Sequence, residues 1–166
     1  MSDRLRIAIT KGRLLDKSMD LFDKMGMDTT PVRNPGRRLI HQIPNYPLDA
    51  VLSKAPDVIT YVEQGVCDLG IVGKDTILEK GGSFYEVLDL GFGKCRFALA
   101  VKEGTDFYHT YKTRRIASKY PAVAKRFFAA KGLDVDIIKI EGSVELAPLL
   151  DLTDAIVDIV ETGATL

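Results

Sequence analysis

The sequence has 166 residues, of which 46% are hydrophobic and 28% are charged, and these proportions are typical of a globular protein, not of a disordered or fibrous one. Lysine and arginine together number 23, as do aspartate and glutamate, so no overall charge draws the chain to nucleic acid or to a membrane surface. No apolar run approaches the ~20 residues of a membrane span, and the charged N-terminus has no apolar signal region, so we expect a cytoplasmic protein.

The first half of the chain alternates strand-like and helix-like stretches. Short apolar runs predict strands, the fourth of them buried, over Leu5–Thr10, Leu39–Ile43, Leu48–Ser53, Leu69–Val72 and Phe84–Leu90. Apolar residues at helical spacing predict helices from Leu15 to Phe22, from Pro56 to a closing glycine at Gly65, and from Lys74 to Lys80. The remainder of the segment from Pro31 to Pro47 is predicted to be irregular.

The second half repeats this alternation. Strands are predicted over Arg96–Val101, Arg115–Ser118, Val135–Ile140 and Ala155–Val160. Tyr120-Pro121 opens a helix whose predicted apolar face holds Val123, Phe127 and Ala130, and a brief helix follows near Leu146–Leu150. Strands alternating with helices indicate an α/β fold with mostly parallel strands. The chain divides near Gly91-Phe92-Gly93 into two α/β lobes, which we place at residues 1–90 and 91–166.

Positive charge collects at the predicted strand ends of the first lobe. Lys11-Gly12-Arg13 forms the first strand-to-helix turn, and open α/β sheets bind ligands at the carboxyl ends of their strands. Arg37-Arg38 and Lys54 add further cations in the same half of the chain. Together these residues suit an anion, although exposed arginine and lysine side chains, taken singly, are usually just solvated surface.

The end of the chain holds a second candidate anion site. The strand Ala155–Val160 delivers the turn Glu161–Thr165, whose backbone N–H groups and hydroxyls could bind one phosphate. The carboxylates of Asp154, Asp158 and Glu161 flank this turn, where they suit ribose hydroxyls or Mg²⁺ better than the phosphate itself. The same spacing also fits an ordinary strand-to-helix turn.

Other motifs leave their alternatives open or exclude a class of chemistry. Ser143 could cap the short helix, and Glu145 could close a capping box or bind a sugar. The two histidines and two cysteines have no spacing typical of a triad, a metal site or a CxxC pair, so reduced structural thiols are expected. The sequence contains neither GxxxxGK[ST] nor GxGxxG.

Eight stretches nevertheless match one family in order along essentially the whole chain. They are Lys11-Gly12-Arg13, Gly36–Ile40, Asp57–Glu63, Asp68–Asp75, Lys94-Cys95-Arg96, Ile116–Tyr120, Gly142–Pro148 and Asp154–Leu166. On these residues the sequence resembles the catalytic chain of ATP phosphoribosyltransferase, the first enzyme of histidine biosynthesis. The Asp-Leu-Gly-Ile-Val-Gly-Lys-Asp and Glu-Thr-Gly-Ala-Thr-Leu blocks are the most specific.

The resemblance implies two α/β lobes with a cleft, similar to the periplasmic solute-binding (type II) fold. It implies a reaction in which ATP and 5-phosphoribosyl 1-diphosphate combine, adenine N1 bonds to ribose C1, and pyrophosphate leaves. Mg²⁺ is the implied cofactor, carried with the substrates and without direct protein ligands. A non-catalytic module of the solute-binding fold that binds small anions is the alternative, and its periplasmic members need an export signal.

The resemblance also implies roles for individual residues. Arg13 and Arg37 would be catalytic and would reach the pyrophosphate, while Asp154 and Asp158 would lie near the ribose. The turn that begins at Glu161 would hold the 5-phosphate through Thr162, Gly163, Ala164 and Thr165. The other implied substrate-binding residues are Lys11, Gly12, Lys54, Gly73, Lys74, Asp75, Ser143 and Glu145. Lys54 stands where relatives usually have arginine, which weakens a bidentate anion contact.

The resemblance extends to assembly. The motifs are more similar to the short form of the family, which lacks a regulatory domain and works with a synthetase-like regulatory subunit, so we expect that partner and a homodimer or larger assembly. Family members continue past the point that matches Leu166, with a helix and strands that return to the first lobe, so we expect a truncated form. A phosphoribosyltransferase acting on another base is disfavoured because Asp158 lacks the adjacent second acid usual in that group.

Overall fold

The chain folds into two compact units, Met1–Gly93 and Lys94–Leu166, here called the N-terminal and the C-terminal unit. The computed structural model describes residues 4–109 and 112–161. Each unit has a four-stranded sheet and a hydrophobic core of its own. None of the helices among the described residues is both long enough and apolar enough to cross a membrane.

The N-terminal unit is a small sheet covered by helices. Its elements are β1 (Leu5–Thr10), α1 (Arg13–Lys24), α2 (Thr30–Arg33), β2 (Ile40–Ile43), β3 (Leu48–Ser53), α3 (Ala55–Glu63), β4 (Leu69–Ile71) and α4 (Lys74–Lys80). The strands lie in the order β2-β3-β1-β4. Strands β3, β1 and β4 run parallel, and β2 pairs with β3 as an antiparallel edge strand.

Strand β1 is central in this sheet and is buried on both faces. Its Ile7 and Ile9 pack with Phe22 of α1 on one side, and Ala8 packs with Val58 of α3 on the other. Successive side chains of a strand point to opposite faces, so an unbroken apolar run such as Ile-Ala-Ile suits a strand covered on both sides. This packing fixes the position from which the turn after β1 begins.

The C-terminal unit has the same architecture with fewer helices. Its elements are β5 (Arg96–Val101), β6 (Arg114–Ser118), α5 (Pro121–Ala130), β7 (Val135–Lys139), α6 (Leu146–Leu149) and β8 (Ala155–Val160). The strand order is β5-β8-β6-β7, with β8, β6 and β7 parallel and β5 antiparallel to β8. The core packs Ile116, Phe128 and Val157 on one face and Val144 with Ile156 on the other.

Most predicted elements are confirmed, including the mostly parallel pairing, but the strand predicted over Phe84–Leu90 is wrong. No strand forms at 84–90, where Tyr85 is 95% exposed and Val87 is 80% exposed. The residue types favour a strand, yet a strand needs a neighbour to satisfy its backbone groups, and none of the described strands pairs with this segment. The prediction that Leu69–Val72 is buried is also wrong, because β4 lies at the sheet edge and Leu69 is 42% exposed.

Two details of the helices differ from the predictions. The short helix α2 falls in the segment predicted to be irregular, where Pro31 suits its first turn. In α5 the buried residues are Ala124 and Phe128, one position later than the predicted face, and Phe127 is 45% exposed. Both sets have the four-residue spacing of a helix face, so the spacing alone does not decide between them.

Candidate active site

The carboxyl ends of three parallel strands bring several predicted site residues of the N-terminal unit to one edge. Lys11 follows β1, Lys54 follows β3, and Gly73 lies two residues beyond β4. The strand ends are tied together, since the Thr10 hydroxyl donates to the Ile71 carbonyl at 3.1 Å. The Lys11 backbone N–H donates to the Ser53 carbonyl at 3.1 Å. The three loops therefore start from a common, fixed edge, where open α/β sheets bind their ligands.

A cavity of about 280 Å³ opens beside this edge and carries three cations. It is lined by Lys11, Leu15, Pro35, Gly36, Arg37, Arg38, Leu39 and Leu52, and we call it the basic pocket. Among residues 4–109 and 112–161, no carboxylate forms an ion pair with Lys11, Arg37 or Arg38. Cations gathered without acidic partners favour a bound anion, because their charges otherwise repel one another.

The basic pocket contains residues that were not among the predicted site residues. Arg38 belongs to the cations expected to suit an anion but not to the residues assigned to the substrates, and Leu39 and Leu52 supply an apolar wall. Arg38 and Leu39 belong to the Gly36-Arg37-Arg38-Leu39-Ile40 motif, which could have indicated them. The contribution of Leu52 depends on pairing of β2 with β3, which no local motif encodes.

Arg13 lies near the same edge but is not part of the pocket lining. It is the first residue of α1, directly after Gly12, whose φ of 89° is a conformation that favours glycine. Lys11, Gly12 and Arg13 are all exposed. The turn therefore presents both of its cations to solvent at the start of a twelve-residue helix.

Gly73, Lys74 and Asp75 make contacts within the unit. Lys74 pairs with Glu86, with Nζ 2.6 Å from one carboxylate oxygen. The carboxylate of Asp75 folds back over Gly73, where a Cβ atom would lie only 2.1 Å from Asp75 Oδ1. Glycine is therefore required at position 73, because a side chain there would collide with the Asp75 carboxylate. The charge of Lys74 is offset by Glu86.

In the C-terminal unit, the carboxyl ends of β6, β7 and β8 again share one edge. The buried Ser118 at the end of β6 donates its hydroxyl to the Val157 carbonyl at 2.6 Å and accepts the Tyr120 N–H at 2.9 Å. Next to that carbonyl, Asp158 is partly buried, and its Oδ1 accepts the N–H of Ile159 at 2.9 Å. Ser118 thereby fixes the end of β8 close to Asp158.

The loop after β7 carries Ser143 and Glu145 at this edge. Helix α6 begins after Glu145 and has no side-chain capping bond, so the alternative that Ser143 and Glu145 form a capping box is wrong. Both side chains are exposed, and within the described part of the chain neither has a hydrogen-bond partner. The nearby Glu141 is committed to Lys139, whose ammonium lies 2.6 Å away and lowers the pKa of that carboxyl below its usual value.

The structure does not bring Asp154 to the carboxyl edge. Asp154 lies just before β8, where its carboxylate accepts the Arg115 N–H at 2.8 Å, whereas Glu161 lies just after β8. At about 3.3 Å per residue the strand separates the two by roughly 20 Å. The remaining predicted residues of this turn, Thr162–Thr165, lie outside the described residues. Among the residues that are described, no three His, Cys, Asp or Glu side chains form a metal cluster.

The comparisons with known proteins identify one enzyme family. The family model for ATP phosphoribosyltransferase matches residues 54–166. An ATP phosphoribosyltransferase of Clostridium kluyveri is 58% identical over 98% of this chain and 74% of the relative, and one of Clostridium novyi is 53% identical over 98% and 78%. The ATP phosphoribosyl transferase (HisG:HisZ) complex from Thermotoga maritima contains a similar chain, with a TM-score of 0.80, 35% identity, and 97% of this chain and 76% of that chain covered.

Proposed function

The chain belongs to the ATP phosphoribosyltransferase family, and we propose that its N-terminal unit binds pyrophosphate while its C-terminal unit binds the sugar phosphate. It is a pentosyltransferase that condenses ATP with 5-phosphoribosyl 1-diphosphate in the first step of histidine biosynthesis. Its α/β fold is of the periplasmic-binding type II kind. Because the curated relatives are named as this enzyme, a non-catalytic anion-binding module is not favoured.

The observation that carries the proposal is the basic pocket. In this reaction positive charge develops on the ribose while negative charge gathers on the departing pyrophosphate. Lys11, Arg37 and Arg38 line one cavity without acidic partners among the described residues, so they are available to that anion. Fixed cations aimed at a charge that grows in the transition state lower the barrier, and no covalent nucleophile is required. Arg37 and Arg13 are the proposed catalytic residues.

We assign the other predicted residues at the carboxyl edge of the N-terminal sheet to the phosphates of the substrates. Lys54 is exposed directly after β3 and shares the edge with Lys11. Lys74 would exchange its Glu86 carboxylate for a substrate phosphate, a small change because both side chains are at least half exposed. The turn that carries Lys11 is shaped by Gly12, and the turn that carries Lys74 is shaped by Gly73 and Asp75.

In the C-terminal unit we assign the sugar to side chains at the carboxyl edge. Ser143 and Glu145 are exposed there and, in the described residues, without partners, so both are available to ribose hydroxyls. Asp158 and Glu161 would lie on the sugar side, since a carboxylate aimed at the phosphate would repel it. We assign the 5-phosphate to Thr162–Thr165, because the glycine and two hydroxyls of this stretch suit a dianion. Asp154 does not take part in this proposed sugar site because it lies at the opposite end of β8.

The residues present fit a Mg²⁺ ion that arrives with the substrates. Mg²⁺ keeps several waters and typically takes one or two carboxylates together with substrate phosphates. In β8 and directly after it, Asp158 and Glu161 carry carboxylates that would accept hydrogen bonds from the waters of the ion, so the ion needs no direct protein ligand. When bound, the ion would neutralise part of the pyrophosphate charge.

We also propose a partner and a cellular location. The Thermotoga chain was solved in a HisG:HisZ complex, which supports a synthetase-like regulatory subunit for this chain. A homodimer or larger assembly stays a prediction from the family resemblance. The exposed apolar side chains Tyr85, Val87 and Leu88 offer contact surface of the kind that partners cover. A biosynthetic role that consumes ATP is consistent with the cytoplasm.

One assay tests the proposed function. The purified chain, with and without the regulatory subunit, is mixed with ATP, Mg²⁺ and 5-phosphoribosyl 1-diphosphate, and the phosphoribosylated nucleotide is followed by mass. Product that depends on both substrates and decreases in Arg37→Ala supports the proposal. Binding of pyrophosphate without any product in the presence of the regulatory subunit would show an anion-binding module instead.

A further inference from the structure

His41 is a buried polar residue that the proposed reaction does not yet use. It lies on β2 opposite Ala50 of β3, and only 5% of it is exposed. Its Nε2 atom is 3.1 Å from the carbonyl oxygen of Arg38. Because a carbonyl oxygen can only accept, Nε2 carries the proton in this hydrogen bond.

We propose that His41 is a positioning residue for phosphoribosyl transfer, holding the segment that carries Arg37 and Arg38 against the basic pocket. This inference rests on the proposed function of that pocket. His41 touches neither the pocket nor a substrate, since it is absent from the pocket lining. It acts through the backbone of Arg38, which is the neighbour of the proposed catalytic residue Arg37.

Within the described part of the chain, the segment that carries Arg37 and Arg38 makes few other hydrogen bonds. Within it the Arg38 N–H donates to the Pro35 carbonyl at 3.1 Å, which closes a turn around Gly36. At its end the Leu52 N–H donates to the Leu39 carbonyl at 2.8 Å. The first of these bonds shapes the turn without attaching it to the sheet. The imidazole of His41 supplies an attachment to the sheet directly at Arg38, between the turn and the bond made by Leu39.

The histidine is itself well anchored. Strand β2 pairs with β3 in register from Ile40 to Ile43, and β3 ends at Ser53, whose carbonyl receives the Lys11 N–H. A continuous series of hydrogen bonds therefore runs from Lys11 through β3 and β2 to His41 and Arg38. It fixes cations from two separate parts of the sequence around one cavity, as required to hold a polyanion in one geometry.

The test compares three variants of the full chain in the presence of the regulatory subunit. His41→Leu removes the donor, His41→Gln keeps an N–H near the same place, and Ile43→Val trims another buried residue of β2 without touching the loop. We expect His41→Leu to lower kcat by about ten- to a hundredfold, because small misplacements of charged groups have effects of that size. His41→Gln should restore most of kcat, and Ile43→Val should leave it near the wild-type value.

Thermal unfolding of each variant separates positioning from simple loss of stability. Equal kcat for His41→Leu and His41→Gln, or a loss in His41→Leu no larger than in Ile43→Val, would overturn the inference. If His41→Leu does not fold, His41→Asn replaces it, since its shorter amide does not reach the Arg38 carbonyl. In that case equal kcat for the asparagine and glutamine variants overturns the inference.

Calorimetric titration with pyrophosphate provides a readout that does not depend on turnover. Weaker binding in His41→Leu, recovered in His41→Gln, supports the positioning role, and unchanged binding in all variants contradicts it. A wild-type chain that binds pyrophosphate but makes no product would refute the proposed function while this titration still decides the role of His41.

Discussion

Removing the guanidinium of Arg37 should slow the chemical step of the reaction more than it weakens substrate binding. Arg37 is exposed at the basic pocket, together with Lys11 and Arg38, and is proposed to meet the charge that grows on pyrophosphate. Because that charge is larger in the transition state than in the bound substrate, Arg37→Ala should lower kcat. KM should change less, since Lys11 and Arg38 still hold the ground-state anion.

The size of the effect follows from the charges in the pocket. Two unit charges 4 Å apart interact by about 4 kcal/mol at an effective dielectric constant near 20, and an exposed guanidinium contributes less than this upper figure. We therefore expect a loss of about 2–4 kcal/mol, which overlaps the ~2.7–4 kcal/mol lost when one transition-state donor is removed. This corresponds to a decrease in kcat of about 30- to 1000-fold. Arg13→Ala should show a decrease in the same range.

The assay measures kcat at saturating ATP and 5-phosphoribosyl 1-diphosphate with the regulatory subunit present. Arg6→Ala is the matched control, because Arg6 is an exposed arginine near the opposite end of β1. Arg37→Lys should recover part of the activity, since lysine retains the charge but not the bidentate geometry. If Arg37→Ala and Arg13→Ala both turn over normally at saturation, the leaving-group assignment is wrong.

Four further outcomes are expected. The isolated chain should be inactive without its regulatory subunit, and full activity with histidine inhibition in the chain alone would refute this. Gly163→Val should weaken binding of 5-phosphoribosyl 1-diphosphate far more than binding of ATP in calorimetric titrations; equal losses would mean a structural turn. Gly70→Ala should lower the free energy of unfolding by about 1–3 kcal/mol in urea titrations, because its Cβ would lie 2.8 Å from Val58 Cγ1. The Thr29 hydroxyl and the Arg33 guanidinium hold the pKa of Asp23 below its ordinary 3.8. These two contacts therefore stabilise the folded state above pH 3.8, and this stabilisation is lost as the pH falls through the lowered pKa. The difference in urea midpoint between wild type and Asp23→Asn should therefore shrink from pH 7 toward pH 2.

The fold was predictable where the signal was local. Strands β1, β3, β5 and β8 have the predicted bounds, because apolar runs bounded by glycine, proline or charged residues identify them without knowledge of their neighbours. The segment 84–90 has the same composition but no pairing partner among the described strands. Pairing joins distant parts of the chain, so composition alone does not reveal that it fails.

The candidate site was predictable to a similar degree. The turn after β1 and the cations near Arg37 were found from residue types and from the rule for strand ends. Leu52 and His41 were not, because they reach the basic pocket or its loop only through the pairing of β2 with β3. Asp154 was grouped with Glu161 because they are close in sequence, whereas an extended strand holds them at opposite ends.

The order in which the strands pair bears on how the chain emerges from the ribosome. All four strands of the N-terminal sheet are present once residue 71 has been made, whereas β5 must wait for β8, which ends at Val160. At about 5–20 residues per second, the roughly 90 residues between these points take on the order of 5–20 s to synthesise. The four described strands of the N-terminal sheet therefore have time to pair while β5 is still unpaired. During translation β5 therefore waits longer for its pairing partner than any of the described strands of the N-terminal sheet.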